Sequence, residues 1–336
     1  MTQFFDLGIA WEWQYDRDFA YSLDKECQKS GVSSYIIYPS NLEETLGLQE
    51  AGRIAFRMFI DRASDTNPRF HNLVHHSRKL PFKMINEVSL LPRAVDKATM
   101  HLEFLTHGIN VPYTIILSPW KDNPKLHTMM KISRFKKLGM PFIIKPACGG
   151  GGLGVVIDAK TIHQIVKARM EISHDKYLLQ EKIIPVVFGR GLNSRMAWFR
   201  VFYICGDVIS CWWDTDTHIY HRVTSHEMEH YGLKGLEDIT RRIADICCLD
   251  FFSTEIAKIN PVRSVSLKGS KEIKETGVSE RGTSNGVKSG KFIVVDYVND
   301  MCDMRRKSQY PDAVPDDVVD RVIKKLVMCV KENLAK

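Results

Sequence analysis

The chain has 336 residues, 44% hydrophobic and 26% charged, with a formal net charge of +7. This composition excludes a fibrous or globally disordered class, and the length exceeds one compact core, so two or three packed units are expected. The modest positive charge suits a polyanionic small ligand as well as nucleic acid, and no run reaches the roughly 18 uninterrupted apolar residues of a membrane span.

Phe4 to Trp11 is apolar, Asp16 to Lys29 reads as a helix capped by Asp16 or Asp18, and Val32 to Tyr38 is β-branched and aromatic. This β-α-β opening predicts parallel strands and a Rossmann-like layer. It contains no G-x-G-x-x-G, so the unit is expected to supply a wall of an acceptor site and not to hold a dinucleotide. A second helix over Leu42 to Ala51 leads to a strand, Ile54 to Ile60, followed by Asp61, Arg62 and Asp65 where sites on open α/β sheets lie. Arg62 is a candidate for a substrate carboxylate, with a surface salt bridge as the alternative. Phe82 to Asn86 reads as a short strand.

A helix containing Asp96, Lys97, His101 and Leu105 is closed by Gly108, and Val111 to Leu117 follows as a strand. Lys131 to Leu138 reads as a basic amphipathic helix closed by Gly139. Next comes the stretch around which the chain is organised: a β-rich run ending in Lys145, glycines at 149, 150, 151, 152 and 154, and at once a second β-rich run from Val155 to Asp158. This reads as a hairpin with a glycine tip. Bare main-chain N–H groups there approach an anion with no Cβ in the way, and the ammonium of Lys145 reaches the same anion, so a phosphate is the natural guest. The lysine precedes the glycines and no helix opens after them, which excludes a Walker A loop; a plain glycine hairpin beside a solvated lysine is the alternative. Thr161 to Ile172 is helical by period, and Tyr177 to Ile184 is an apolar strand holding Gln180 and Glu181.

Met196 to Trp213 reads as two strands around the turn at Cys205 and Gly206, with Arg200 and Asp214 at the outer ends. Leu233 to Leu249 is an amphipathic helix and Asp250 to Ile259 a strand. Residues 262–290 turn to Ser, Gly, Lys and Glu and are expected to form a mobile loop. Phe292 to Asp300 resumes the sheet, and Asp316 to Leu334 closes the chain as a helix. Two acids interrupt apolar strands, Glu255 and Asp296, with Asn299 three residues on. A carboxylate in a core-facing strand must meet a cation or a cleft, and such hard oxygens suit Mg²⁺; strand-end ion pairs are the alternative. The eight cysteines show no C-x-x-C pair or zinc spacing and read as reduced thiols, with Cys205, Cys211 and Cys247 as small buried hydrophobes. Together with an N-terminus, Met1 to Asp6, that lacks a basic region before a long apolar one, this predicts a soluble, unexported, cytoplasmic protein.

The order Asp96–Lys97, Ile144–Lys145–Pro146 with its glycines, Leu179–Gln180–Glu181, Arg200 to Gly206, Leu249 to Glu255, and Val295–Asp296 with Asn299 resembles the ATP-grasp enzymes. The pattern is most similar to the branch holding ribosomal-S6 modification enzymes and glutathione synthetase, over about residues 80–305. The resemblance implies an α/β (α+β) chain with an ATP-grasp fold behind an N-terminal Rossmann-like domain. The expected units are 1–90, a small subdomain with the glycine hairpin at 91–184, and a metal-bearing subdomain at 185–336. It implies further that Lys97 and Lys145 contact the ATP α- and β-phosphates, while Gly149, Gly150, Gly151, Gly152 and Gly154 close over the β- and γ-phosphates. Gln180 and Glu181, with the main chain of Lys182 and Ile183, would bind adenine; Glu255, Asp296 and Asn299 would hold two Mg²⁺ ions; Arg200 would face the transferred phosphoryl group. Arg305 and Arg306 stand where related synthetases place an arginine on the substrate carboxylate, Arg222 is another candidate, and solvent-facing arginines are the alternative for all three.

The implied activity is ATP-dependent ligation of a small-molecule or peptide carboxylate to an amine through an acyl phosphate, releasing ADP and phosphate. A membrane has no place in it, nucleic acid is disfavoured because the basic residues are dispersed, and a homodimer is left open. A kinase on the same fold and a non-catalytic nucleotide-binding scaffold are the rivals. Three departures from the pattern stand out. Asp296 and Asn299 are separated by one residue more than usual, so the strand bulges or Asp300 replaces a ligand; Trp198 stands where some relatives have an acid; and a long basic loop splits the two metal strands.

Overall fold

The computed structural model describes residues 1–77, 82–126, 131, 135–189, 191, 194–260 and 290–335. The expected loop at 262–290 lies outside the described residues except for Gly290, and so do 132–134 of the expected helix at 131–138, whose described residues 135–138 form a turn.

Strands β1 (Gln3–Trp11), β2 (Ser34–Ile37), β3 (Ile54–Arg62) and β4 (Lys83–Ile85) form a parallel sheet in the order β2-β1-β3-β4, as the β-α-β opening requires. Helices α1 (Arg17–Lys29), α2 (Leu42–Glu50), α3 (His71–Ser77) and α4 (Leu91–Ala94) intervene along the chain. Phe19, Leu23 and Cys27 recur every fourth residue on α1, which puts them on one face, and all three are buried. Gly8 allows the close approach of β1 and β3, since a Cβ there would lie 2.6 Å from the ring of Phe59. The capping role expected of Asp16 is not observed: it makes no cap bond and instead pairs with Arg62 in the interior.

Helix α5 (Lys97–Thr106) begins at Asp96, whose carboxylate accepts from the N–H groups of Ala98 and Thr99. An antiparallel sheet of order β5-β8-β6-β7 follows, built from β5 (Thr114–Leu117), β6 (Phe142–Pro146), β7 (Val156–Ala159) and β8 (Tyr177–Glu181), with α6 (Ile162–Glu171) against it. Strand β8 stops at Glu181, so the expected extension to Ile184 is an irregular connection. The small ladder β9 (Val187–Phe188) with β10 (Arg195–Met196) leads to the last sheet.

That sheet, antiparallel in the order β13-β12-β11-β14-β15, comprises β11 (Trp198–Ile204), β12 (Asp207–Trp213), β13 (Tyr220–Arg222), β14 (Phe251–Ile259) and β15 (Lys291–Asn299). Helices α7 (Ser225–His230) and α8 (Gly235–Cys247) separate β13 from β14, and α9 (Asp316–Leu334) ends the chain. Val319, Ile323, Leu326 and Val330 of α9 pack in one cluster with Phe19 and Leu23 of α1 and Phe202 of β11, tying the first and last sheets together. All eight cysteines are free thiols. No helix among the described residues is long and apolar enough to cross a membrane.

Candidate active site

Strand register brings the charged residues into one row. Arg200 on β11 lies opposite Glu255 on β14, and Glu255 opposite Asp296 on β15. Opposed cross-strand side chains on one face lie within contact range, so the three form a line across the sheet. The glycine-hairpin sheet closes the line: Lys145, 7% exposed on β6, donates to the carbonyl of Val295 at 2.9 Å and stands 3.7 Å from Asp296 Oδ1. The row therefore runs cation, acid, acid, cation along Arg200, Glu255, Asp296 and Lys145.

Each member is held from the side. The Arg200 guanidinium bonds Glu255 and lies over the ring of Trp213, 4.5 Å from its centroid. Trp198 Nε1 donates to Glu255 Oε2 at 3.1 Å, so an indole on β11 orients the acid of the neighbouring strand. The Lys145 ammonium sits 5.2 Å from the ring centroid of Tyr297. Burial pushes the Glu255 carboxyl up, with Arg200 working against the rise and Asp296 adding to it. Burial acts the same way on Asp296, but Lys145, Lys97 and Arg200 together hold its carboxyl below the usual carboxylate range. Burial lowers the pKa of Lys145, which Asp296 partly offsets. With Lys97, three cations face two carboxylates, and the residual positive charge favours an anion.

The glycine hairpin stands as its sequence implies, between antiparallel β6 and β7. Gly149, Gly151, Gly152 and Gly154 have φ between 63° and 88°, and added Cβ atoms at 149–152 would meet nothing within 4 Å, so the tip is a ribbon of bare backbone facing open space. Its root is fixed: Lys97 Nζ donates to the Gly149 carbonyl at 2.6 Å and Cys148 N–H to Asp175 at 2.8 Å. Gln180 is buried, its amide donating to the Tyr297 hydroxyl at 3.0 Å and Thr114 Oγ1 at 3.2 Å, so its side chain supports the site from beneath and is not presented to a ligand. The Glu181 carboxylate accepts from the Tyr113 N–H at 2.7 Å, and exposed Lys182 pairs with Asp158 at 2.5 Å. Ile183 lies on the connection between the two antiparallel sheets.

Below Lys145 is a buried chain that sequence reading did not reach. The Tyr297 hydroxyl accepts from Gln180 and lies 2.7 Å from His101 Nδ1. Burial, with Lys145 adding, lowers the His101 pKa from 6.5 to about 4. The folded value lies below the unfolded one, so the unfolded chain takes the proton first and stability is lost as pH falls from 6.5 towards 4. About 3 kcal/mol is at stake. Relative to His101→Gln, the wild type is expected to lose urea resistance between pH 7 and pH 4.5; parallel curves would refute this.

The remaining candidates divide. Across Glu255–Asp296 and Ser253–Asn299, two steps on β14 face three on β15, so the extra residue before Asn299 is absorbed by a bulge, the first of the two expected solutions. Arg305 is grasped by Asp303 and Asp312, Arg306 by Asp320, and Arg222 by Asp317. Each of these arginines pairs with a carboxylate of this chain. Arg62 is buried, its Nη2 donating to Asp16 at 2.7 Å and the Cys302 carbonyl at 3.0 Å, so its salt bridge is an interior one and not the surface pair of the alternative reading. Trp212 packs in the core against Phe188 and Phe199.

Among the described residues no group of three or more His, Cys, Asp or Glu side chains gathers for a metal. The protein offers two carboxylates opposed across β14 and β15, a hard, incomplete set that suits Mg²⁺ when waters and phosphate oxygens fill its other positions.

A scan against protein-family models and a search of curated proteins found no match. Among solved structures, D-cycloserine synthetase DcsG is similar with a TM-score of 0.59 at 12% identity, over 98% of this chain and 100% of that one. The D-alanine–D-alanine ligase of Bacillus anthracis complexed with ATP gives 0.59 at 12% over 97% and 96%. The ATP-grasp ligase PsnB complexed with minimal precursor, Mg and ADP gives 0.56 at 12% over 97% and 98%. The chain has the ATP-grasp fold.

Proposed function

We propose that this protein is an ATP-dependent ligase that joins a carboxylate to an amine through an acyl phosphate. The observation that carries the reading is the meeting of Lys145, on one sheet, with the Arg200–Glu255–Asp296 row on another. The ligases of the same fold, whose structures include complexes with ATP, or with Mg and ADP, support it.

In this reading Lys145 and Lys97 bind the α- and β-phosphates, and the N–H groups at Gly149 to Gly154 close over the β- and γ-phosphates. Glu181 and the main chain at Lys182 and Ile183 meet the adenine edge. Glu255, Asp296 and Asn299 would hold Mg²⁺, two ions on the family pattern, which would neutralise charge on the phosphates. Arg200, fixed on Trp213 and Glu255, presents its guanidinium to the phosphoryl group in transfer. Such transfer needs positioning and charge neutralisation more than covalent help, and these residues supply both. Closure of the hairpin keeps water from the acyl phosphate.

Incubation with ATP, a panel of amino acids and short peptides as carboxylates, and hydroxylamine is expected to yield a hydroxamate together with ADP. A stable phosphoester with no hydroxamate would make the protein a kinase, and ATP binding with no ADP under any condition would make it a scaffold.

A further inference from the structure

Two thiols meet where the tip of the β11–β12 hairpin touches α9. Cys205 stands in the two-residue turn before β12, and its sulfur is in hydrogen-bond contact with that of Cys329 on α9. Both thiols are free. Cys205 and Gly206 have φ of 44° and 87°, the left-handed pair of a type I′ hairpin, a turn that favours Asn or Gly and gains nothing from a cysteine. Turn chemistry therefore does not account for a sulfur at this position.

The surroundings hold both sulfurs and set them apart from each other. Asn333, one turn further along α9, donates to Cys329 Sγ at 3.5 Å and accepts from Lys83 Nζ at 3.1 Å. Lys83 also stands 3.7 Å from Asp250, whose carbonyl accepts from the Cys205 N–H at 2.7 Å. The network thus runs through β4, the hairpin tip, the residue before β14, and α9. With the Cys205 S–H, the Asn333 amide and the Lys83 ammonium on its side, Cys329 is the sulfur that keeps negative charge. The bond from Cys205 lowers its pKa, against burial and the charges of Asp250 and Glu332. Cys205, which gives that bond, is pushed up. Burial pushes Cys27, Cys211, Cys247 and Cys302 up to about 12, which keeps them protonated and inert. Cys205 is half-buried, so the pair borders solvent on that side.

We propose that Cys205 and Cys329 form a redox site, which a peroxide closes to a disulfide clamping the hairpin tip to α9 and which a small thiol reopens. The Cys329 thiolate attacks one peroxide oxygen, the O–O bond breaks, and the departing hydroxide takes a proton to become water. The Cys205 sulfur then displaces the hydroxyl of the sulfenic acid on Cys329: the S–S bond forms, the S–O bond breaks, and the thiol proton leaves with the hydroxyl as a second water. The two sulfurs together lose two electrons, and the peroxide gains them. Reopening returns two electrons from two molecules of the small thiol, which leave joined as their own disulfide. About 17 Å of strand separates Cys205 from Arg200, so the clamp lies away from the phosphoryl site. It acts on α9, which ties the first and last sheets together.

The test is oxidation of the reduced full chain with about one equivalent of hydrogen peroxide, followed by alkylation, non-reducing proteolysis and mass spectrometry. A peptide pair linked through Cys205 and Cys329 is expected before the exposed Cys148 and Cys248 are modified. The linked protein should melt about 5 °C or more higher, because the bond closes a long loop, and dithiothreitol should reverse both changes. Cys205→Ser keeps a hydroxyl donor beside Cys329 and should stop at the sulfenic acid, which dimedone traps on Cys329. Four results would overturn the proposal: free Cys205 and Cys329 after the exposed thiols have reacted, a linkage between other cysteines, an unmoved melting temperature in the linked protein, or a folded variant with no dimedone on Cys329. The cross-link is read on the wild type, so it decides the matter even if the variant does not fold.

Discussion

Lys145→Met is expected to slow ATP-dependent ADP release by about a hundred- to a thousandfold or more while leaving the fold in place, because in the proposed ligase reading the removed group is a fixed cation aimed at developing phosphate charge. Methionine keeps most of the volume of the lysine stem between the two sheets but offers no N–H to the Val295 carbonyl. The stability cost is limited by the surroundings. Asp296 loses its nearest cation but retains Lys97 and Arg200, and its side chain is 34% exposed, so water shares in its solvation. ADP release at saturating ATP, with circular-dichroism melting as the control, reads both effects; full turnover in a folded variant would remove Lys145 from the site.

Asp296→Asn should separate binding from chemistry. The substitution leaves Lys97, Lys145 and Arg200 facing Glu255 alone, so the site becomes more attractive to a naked anion. Metal-free ADP is therefore expected to bind more tightly than it does to the wild type. Mg²⁺ should no longer tighten it, because one of the two carboxylates proposed to hold the metal has become a neutral amide. Turnover, which needs the metal on the phosphates, should fall by at least about a hundredfold. Titrations of ADP with and without Mg²⁺ decide the matter: a variant that binds both forms as the wild type does places the metal elsewhere.

How far the site could be read from the residues depends on the range of the interactions. The hairpin was legible because glycine and strand propensity act locally, and four of its glycines have positive φ. Glu255 and Asp296 were legible as anomalies in apolar strands, and their pairing follows from sheet register. What stayed hidden depends on residues far apart in sequence. Asp16 looks like a helix cap within its own segment, yet Arg62, 46 residues on, takes its carboxylate. The parallel pairing of β1 with β3 sets that contact, and no local pattern encodes it. Asp303 and Asp312 hold Arg305 from either side, the second brought in by a turn with no periodicity. The link from His101 through Tyr297 to Gln180 joins α5, β15 and β8, so only the packed structure discloses it. Trp198 read as a departure from the family pattern; its indole N–H on Glu255 shows it to be a support.

The central claim is that one triphosphate and its metal lie between the glycine hairpin and the Glu255–Asp296 pair. A crystal structure with Mn²⁺ and a non-hydrolysable ATP analogue, phased to show anomalous scatterers, tests it most directly. The account predicts a manganese peak bridging Glu255 and Asp296, with the analogue's phosphates against Lys145 and under Gly149 to Gly154. A nucleotide bound on another face of the molecule, or manganese held by carboxylates other than these two, would contradict it.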